Sequence, residues 1–295
     1  MRKPGVGHHR LEARDAVNGE AVPVRLFYPT FAIARPTDLG PYPMLLAADA
    51  PVEGTGLPLV AISHGGGGSA ATHRDLAAHL ASAGFVAALV EHPGNNRDDN
   101  RLAHTAQVLE NRPRHIRAAI DAAFADPIVG QRLAAAVGVI GHSLGGYTAL
   151  AMAGGKPTAF DHETPDGKQA VVPATPDPRV KALVLLAPAV AWFAAEGALG
   201  EVSIPVLMLT GEKDLSTPQI HGRIVARGLR PGLLEHREVA GAGHFAFQSP
   251  FPPAMRRPGF LPAQDPEGFD RAAFHEQMNA EIEAFLRRTL ARGAG

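Results

Sequence analysis

The sequence contains no cysteine. This excludes disulfides, thiolate metal ligands and a cysteine nucleophile, and it fits a reducing compartment. An excess of charge of either sign is also missing. With 28 Lys and Arg against 29 Asp and Glu, the formal net charge is -1, so no electrostatic case arises for nucleic acid or an anionic membrane as partner. No basic block or amphipathic anchor breaks the mixed charge pattern. No apolar run approaches the length of a membrane-spanning helix. The basic start, MRKPGVGHHRLEARD, has no apolar run behind it and is not an intact signal peptide. The expectation is a soluble, cytoplasmic protein with no integral membrane association, although a trimmed leader stays open. Internal repeats are absent too.

What is present is apolar material in a regular order. Of the 295 residues 45% are hydrophobic, enough for a large core, and one domain over 1–295 is the expectation. Strands are read at Val22 to Tyr28, Pro58 to Ser63, Phe85 to Val90, Val137 to Gly141, Ala182 to Leu186, Val206 to Leu209 and near Leu234 to Val239, those at Pro58 to Ser63 and Phe85 to Val90 as buried apolar runs. Helical spacing lies between them, at Thr72 to Ala83, Pro113 to Phe124, Leu144 to Met152 and Ile220 to Arg227, with a last helix at Arg271 to Leu290. Strands that are apolar throughout and alternate with helices predict an α/β fold, a mostly parallel central sheet with helices on both faces. Two stretches break the rhythm, 154–178 and 248–270. Both are rich in Pro, Gly and polar residues and are candidate pocket walls.

Between the strand ending at Gly141 and the following helix stands Gly141-His142-Ser143-Leu144-Gly145-Gly146. A sharp strand-to-helix turn exposes a serine hydroxyl at the sheet end, and glycines two before and two after relieve the crowding. A serine needs a base, and the base needs an orienting group. Downstream, Val206 to Leu209 leads into a loop holding Glu212 and Asp214, and the next strand leads into Gly243-His244-Phe245. The order Ser, acid, His makes His244 the candidate base. Asp214 is favoured over Glu212 because it lies further into its loop and is followed by Thr217-Pro218.

Upstream, His64 and four glycines follow an apolar strand. Backbone N–H groups with no side chain in the way can bind an oxyanion, so the N–H groups of Gly66 and Leu144 are the candidate donors, with Gly67 nearly as suitable as Gly66. His64 is expected to support this loop by hydrogen bonding. The run lacks the Lys-Ser/Thr of a phosphate loop, and no dinucleotide fingerprint accompanies it, so no cofactor is implied.

Together the stretch SHGGGGSAATHRDLAAHLASAGFVAALVEHPGNN and the later GHSLGG resemble the serine-esterase branch of the α/β hydrolases. They look most like bacterial proteins grouped with dienelactone hydrolases and platelet-activating-factor acetylhydrolases. The resemblance implies an α/β-hydrolase fold and a serine carboxylesterase acting on a small-molecule ester through Ser143, Asp214 and His244. Two departures matter. Dienelactone hydrolases proper use a cysteine, absent here. Platelet-activating-factor acetylhydrolases place their acid after the strand that follows the nucleophile helix, where this chain reads Leu186-Ala187-Pro188-Ala189. The acid therefore moves one strand on, to Asp214, as in cutinase-like polyester hydrolases.

For the substrate pocket, Trp192, Phe193 and Phe245 are the candidates, with Phe247 beside the base and His92, Asn95 and Asn96 as polar contacts. His8-His9 reads as a flexible terminus, and no metal site is expected. An amidase, peptidase or lactone hydrolase would use the same triad, and a silent binding protein on this fold would lack one member of it. Acyl length and oligomeric state stay open.

Overall fold

The apolar runs become the middle of a sheet. In the computed structural model, which describes residues 3–290, ten strands share one sheet. The chain begins with β1 (Gly5–Arg14) and β2 (Ala21–Thr30), an antiparallel pair, followed by a hairpin of β3 (Arg35–Leu39) and β4 (Tyr42–Ala48). Then β5 (Leu57–Ser63), α1 (Arg74–Ser82), β6 (Val86–Val90), α2 (Ala106–Ala125), β7 (Leu133–His142) and α3 (Leu144–Met152) alternate. A small separate ribbon, β8 (Thr158–Ala159) with β9 (Ala170–Val171), precedes β10 (Val180–Leu186), β11 (Val206–Gly211), α4 (Ile220–Gly228), β12 (Leu234–Val239) and α5 (Arg271–Leu290).

The sheet order is β12-β11-β10-β7-β5-β6-β2-β1-β4-β3. From β12 to β6 all neighbours are parallel, and antiparallel pairing starts where β6 meets β2. Parallel strands need crossovers, and the crossover helices cover both faces. Alternate residues of each strand therefore enter different cores. Leu59 and Ala61 of β5 pack with α2 and α3, through Leu109, Ile116, Ile120 and Leu150. Val60 and Ile62 pack on the other face with α1 and α5, through Leu76, Leu80, Met278, Ile282 and Phe285. Burying five such side chains on one face is worth on the order of 10 kcal/mol before the entropy of ordering them is counted. Among the described residues, no helix is long and apolar enough to cross a membrane.

Three local expectations are corrected. The His8-His9 pair lies in β1, not in a flexible terminus. His8 is buried against Phe27 with ring centroids 5.6 Å apart, and His9 reaches Asp49 and Asp126 at 2.5 and 3.2 Å. Between Tyr28 and Pro58, where the reading above has no strand, the chain forms β3 and β4. Finally, α2 begins seven residues before Pro113 and carries that proline inside it. Pro113 has no N–H to give the carbonyl of Leu109, and the hydroxyl of Tyr147 on α3 donates to that oxygen at 3.1 Å instead. The lost helix bond becomes a cross-link between two helices.

Candidate active site

Four strand ends meet at one edge of the sheet. The loops after β5, β7, β11 and β12 carry His64 to Gly68, Ser143, Asp214 and His244, and these strands are near neighbours in the sheet. In open parallel sheets the crevice beyond the carboxyl ends of the strands is where ligands bind.

Ser143 occupies a tight turn with φ 53° and ψ −119°, a conformation rarely adopted by a residue with a side chain. The turn closes only because its flanks are glycine. A Cβ on Gly141 would strike the carbonyl of Gly145, a Cβ on Gly145 would strike that of Ser63, and one on Gly146 would stand 2.5 Å from Pro188 Cβ. The motif thus fixes both the turn and the close approach of α3 to β5.

The structure brings Ser143, His244 and Asp214 together. Ser143 Oγ lies 3.0 Å from His244 Nε2, and His244 Nδ1 donates to Asp214 Oδ2 at 2.8 Å. A carboxylate only accepts, so Nδ1 carries the proton and Nε2 is left to accept from the serine. Asp214 is buried, which by itself raises its pKa. The bonds from His244 and Thr217 outweigh this and hold the carboxyl below the usual range. Ser216 and Thr217 add backbone N–H donors, each 2.8 Å from Asp214 Oδ1. Glu212 is exposed and accepts instead from the Gly241 N–H at 2.7 Å.

The glycine loop runs beside the serine. A Cβ on Gly65 would sit 3.2 Å from Ser143 Cβ, and one on Gly66 would sit 3.4 Å from Leu144 Cδ2. Neither the Gly66 nor the Leu144 N–H donates to an acceptor among the described residues. Leu144 opens α3, so the positive end of the helix dipole lies at this point. Gly67 has φ 61°, a Cβ on it would lie 3.3 Å from Asn100 Nδ2, and it too lines the cavity at Ser143. His64 is fully buried, and burial drives its pKa well below the ordinary value, keeping it neutral. Its Nε2 accepts from the His92 N–H at 3.2 Å, so Nδ1 holds the proton and donates to the Gly65 carbonyl at 2.7 Å.

A cavity of about 320 Å³ opens at Ser143, lined among others by Tyr42, Phe245, Phe251, Met255, Phe260 and Pro262. Segment 248–270 supplies four of these six and so forms a wall, whereas 154–178 supplies none of the residues lining this cavity. Phe245 faces the cavity as expected. Trp192 and Phe193 do not. They pack on Tyr147 at 5.3 Å each, and the Trp192 Nε1–H donates to Glu163 at 2.8 Å. Phe247 is buried against Phe274, at 5.6 Å. His92 is fully buried on Ser63 and His115, Asn96 is bound within its own loop, and Asn95 is held by Asn100 and by Arg112 of α2. None of the three polar candidates lines the cavity.

Two contributors were invisible in the motifs. Thr217 is one. The other is Arg112, fully buried on α2 beneath the glycine loop. Its signal was its position, three residues after Leu109 and four before Ile116, on the apolar stripe of the helix. A charge on such a stripe is out of place unless it has partners.

No protein-family model matches the sequence, and no curated protein matches it either. Among solved structures the chain is similar to a ferulic acid esterase from Streptomyces cinnamoneus, with a TM-score of 0.72 and 22% identity, over 99% of this chain and 92% of that one. Sheet order, crossover helices and this likeness agree on one architecture. The chain has the α/β-hydrolase fold, with a mostly parallel central sheet between helices.

Proposed function

We propose that this protein is a serine carboxylic-ester hydrolase that works through an acyl-enzyme intermediate on Ser143. The observation that carries the reading is the run of short contacts from Ser143 Oγ to His244 at 3.0 Å and on to Asp214 at 2.8 Å, at the floor of an apolar cavity. A hydroxyl in line with an oriented imidazole is the arrangement that acyl transfer needs.

Ser143 Oγ attacks the ester carbonyl while its proton passes to His244 Nε2. Asp214 holds the imidazole in its tautomer and stabilises the imidazolium that forms. The N–H groups of Gly66 and Leu144, which meet no acceptor among the described residues, take the charge that develops on the carbonyl oxygen. The imidazolium gives its proton to the departing alcohol. Water, deprotonated by His244, then attacks the acyl-enzyme, and the acid leaves with Ser143 restored.

An ester is favoured over an amide by the similarity to a ferulic acid esterase. The aromatic and methionine lining suits an apolar group of about ring size on one side of the scissile bond. The kinship with dienelactone-hydrolase and acetylhydrolase-like serine esterases is part of this reading, and it rests on the loops at His64, Ser143 and His244.

The test is hydrolysis of p-nitrophenyl esters from acetyl to decanoyl and of aryl-acrylate esters, with Ser143→Ala in parallel. Ester turnover that disappears in the variant supports the reading. Turnover that survives in Ser143→Ala removes the serine from the mechanism, and turnover of anilides without esters moves the activity to amides.

A further inference from the structure

Arg112 is 0% exposed, yet every acceptor it meets is a neutral oxygen. A buried cation costs several kcal/mol unless paired, and a carboxylate partner is the ordinary remedy. Here the guanidinium spreads four hydrogen bonds over uncharged groups. Nη2 donates to the His64 carbonyl and lies 3.2 Å from Ser63 Oγ, Nη1 donates to Asn95 Oδ1 at 2.7 Å, and Nε donates to Thr148 Oγ1 at 3.1 Å. Burial lowers its pKa to about 9, so the group stays charged at neutral pH.

Three of the four acceptors, on Ser63, His64 and Thr148, belong to the two segments that carry the candidate oxyanion donors, and the fourth, Asn95, lies in the loop after β6. His64 leads directly into Gly65-Gly66. Asn95 backs the same loop. Its Oδ1 would lie 3.9 Å from a Cβ on Gly66, and its Nδ2 donates at 2.8 Å to Asn100, the side chain that faces Gly67. Thr148 belongs to α3, where its hydroxyl donates to the Leu144 carbonyl at 3.1 Å. One guanidinium therefore spans from the Gly66 side to the Leu144 side. A lysine, with a single ammonium, cannot make this planar fork.

We propose that Arg112 is the positioning residue of the oxyanion hole: it clamps the glycine loop to the start of α3 and supplies the fixed positive charge beneath them. This rests on the esterase reading of Ser143. The function explains why a charge is kept where an apolar residue would pack. Hydrogen bonds aimed at where charge develops help only if they are held before it does, and a cation in a dry interior adds to them without touching the substrate.

The experiment compares Arg112→Lys and Arg112→Met with the wild type, normalised to sites titrated by a fluorophosphonate. Three readouts are taken: ester kinetics, the Ki of an aryl trifluoromethyl ketone, which forms an oxyanion on the serine, and the Ki of the matching methyl ketone, which does not. Arg112→Met is expected to lose about 100-fold in kcat with little change in KM, and Arg112→Lys about 10-fold. The trifluoroketone Ki should rise in step with the fall in kcat/KM, while the methyl ketone Ki stays within about twofold. Unchanged kcat per titrated site in Arg112→Met overturns the proposal, as does an equal loss of both ketones, which marks a misshapen cavity. If Arg112→Met does not fold, the Lys variant decides by the same two ratios. A wild type that neither turns over esters nor binds the trifluoroketone refutes the esterase reading itself, and that result precedes any variant.

Discussion

Thr217 is bonded to Asp214 twice: its Oγ1 donates to Oδ2 at 2.7 Å, and its backbone N–H donates to Oδ1 at 2.8 Å. The same hydroxyl lies 3.2 Å from His244 Nδ1, so it closes a triangle with the acid and the base. Backbone donors set where the carboxylate sits, and the hydroxyl sets how Oδ2 faces the imidazole.

Thr217→Val keeps the shape and the backbone bond but removes the hydroxyl. The expected result is a fall of about 10-fold in kcat with KM unchanged, the equivalent of about 1.4 kcal/mol in the barrier. Asp214→Asn should cost several orders of magnitude more, because the base then loses its tautomer. Steady-state kinetics on one ester checks both. Equal losses in the two variants would place Thr217 in the reaction rather than behind it.

Gly145→Ala directs a methyl at the carbonyl of Ser63, so α3 and β5 must move apart. Overpacking against backbone costs about 1–3 kcal/mol, and here it also displaces Ser143 from His244. Both a lower Tm and a loss of activity are expected. Gly167→Ala, with φ 67° but no atom near its Cβ, serves as the control for backbone strain alone and should leave kcat intact.

Phe245→Ala and Trp192→Ala should separate cavity from core. The first removes a cavity wall, and its signature is a raised KM and a shifted chain-length profile. The second breaks the packing on Tyr147 and the bond to Glu163, and its signature is lower stability, about 2–4 kcal/mol by denaturant titration, at unaltered KM. A changed KM in Trp192→Ala would return that side chain to the substrate.

Acid should destabilise this protein unusually early. Burial is the first cause in each of nine histidines whose pKa is depressed, and in six of them the shift is large. His8 and His115 fall to about 4 and His73 to about 3, while His64, His92 and His142 lie well below the usual value. In the unfolded chain the value is about 6.5. Above that pH both states are neutral and the full stability is present. As pH falls below it, only the unfolded chain takes up protons, and stability is lost progressively towards pH 4. Tm should be flat from pH 8 to 7 and drop steeply from 6.5 to 5, at up to about 1.4 kcal/mol per pH unit for each such histidine. A Tm that holds level between pH 7 and 5 contradicts this burial.

Much of the fold was legible because the central strands are apolar on both faces. The run at Pro58 to Ser63 needs no partner to declare itself, whereas the edge strand β12, with the polar sequence LEHREV, was read from its place in the alternation of strands and helices. Beyond β2 at the far side of the sheet, the strands β1, β3 and β4 were not legible. The strand β1, Gly5–Arg14, carries His8, His9, Arg10, Glu12 and Arg14, a composition no apolar count selects. The start of α2 was hidden by Pro113, since a proline is ordinarily a beginning and here lies mid-helix because Tyr147 takes the freed carbonyl. In the site, the residues with fixed chain order and glycine flanks were readable: Ser143, Asp214 and His244 stand in contact. Trp192 was misplaced because position after a strand does not say which way a loop turns, and that is decided by packing on Tyr147.

Ser143 and His244 are 101 residues apart in sequence, and His244 and Asp214 are 30 apart, on strands whose pairing is parallel. Each such contact closes a long loop before it yields any bond, so it belongs to the slow, late part of folding. The site therefore has no half-built form that a fragment could retain. In a refolding experiment hydrolysis should return only with the last tertiary signal, after helicity has recovered, which makes turnover a clock for completed folding.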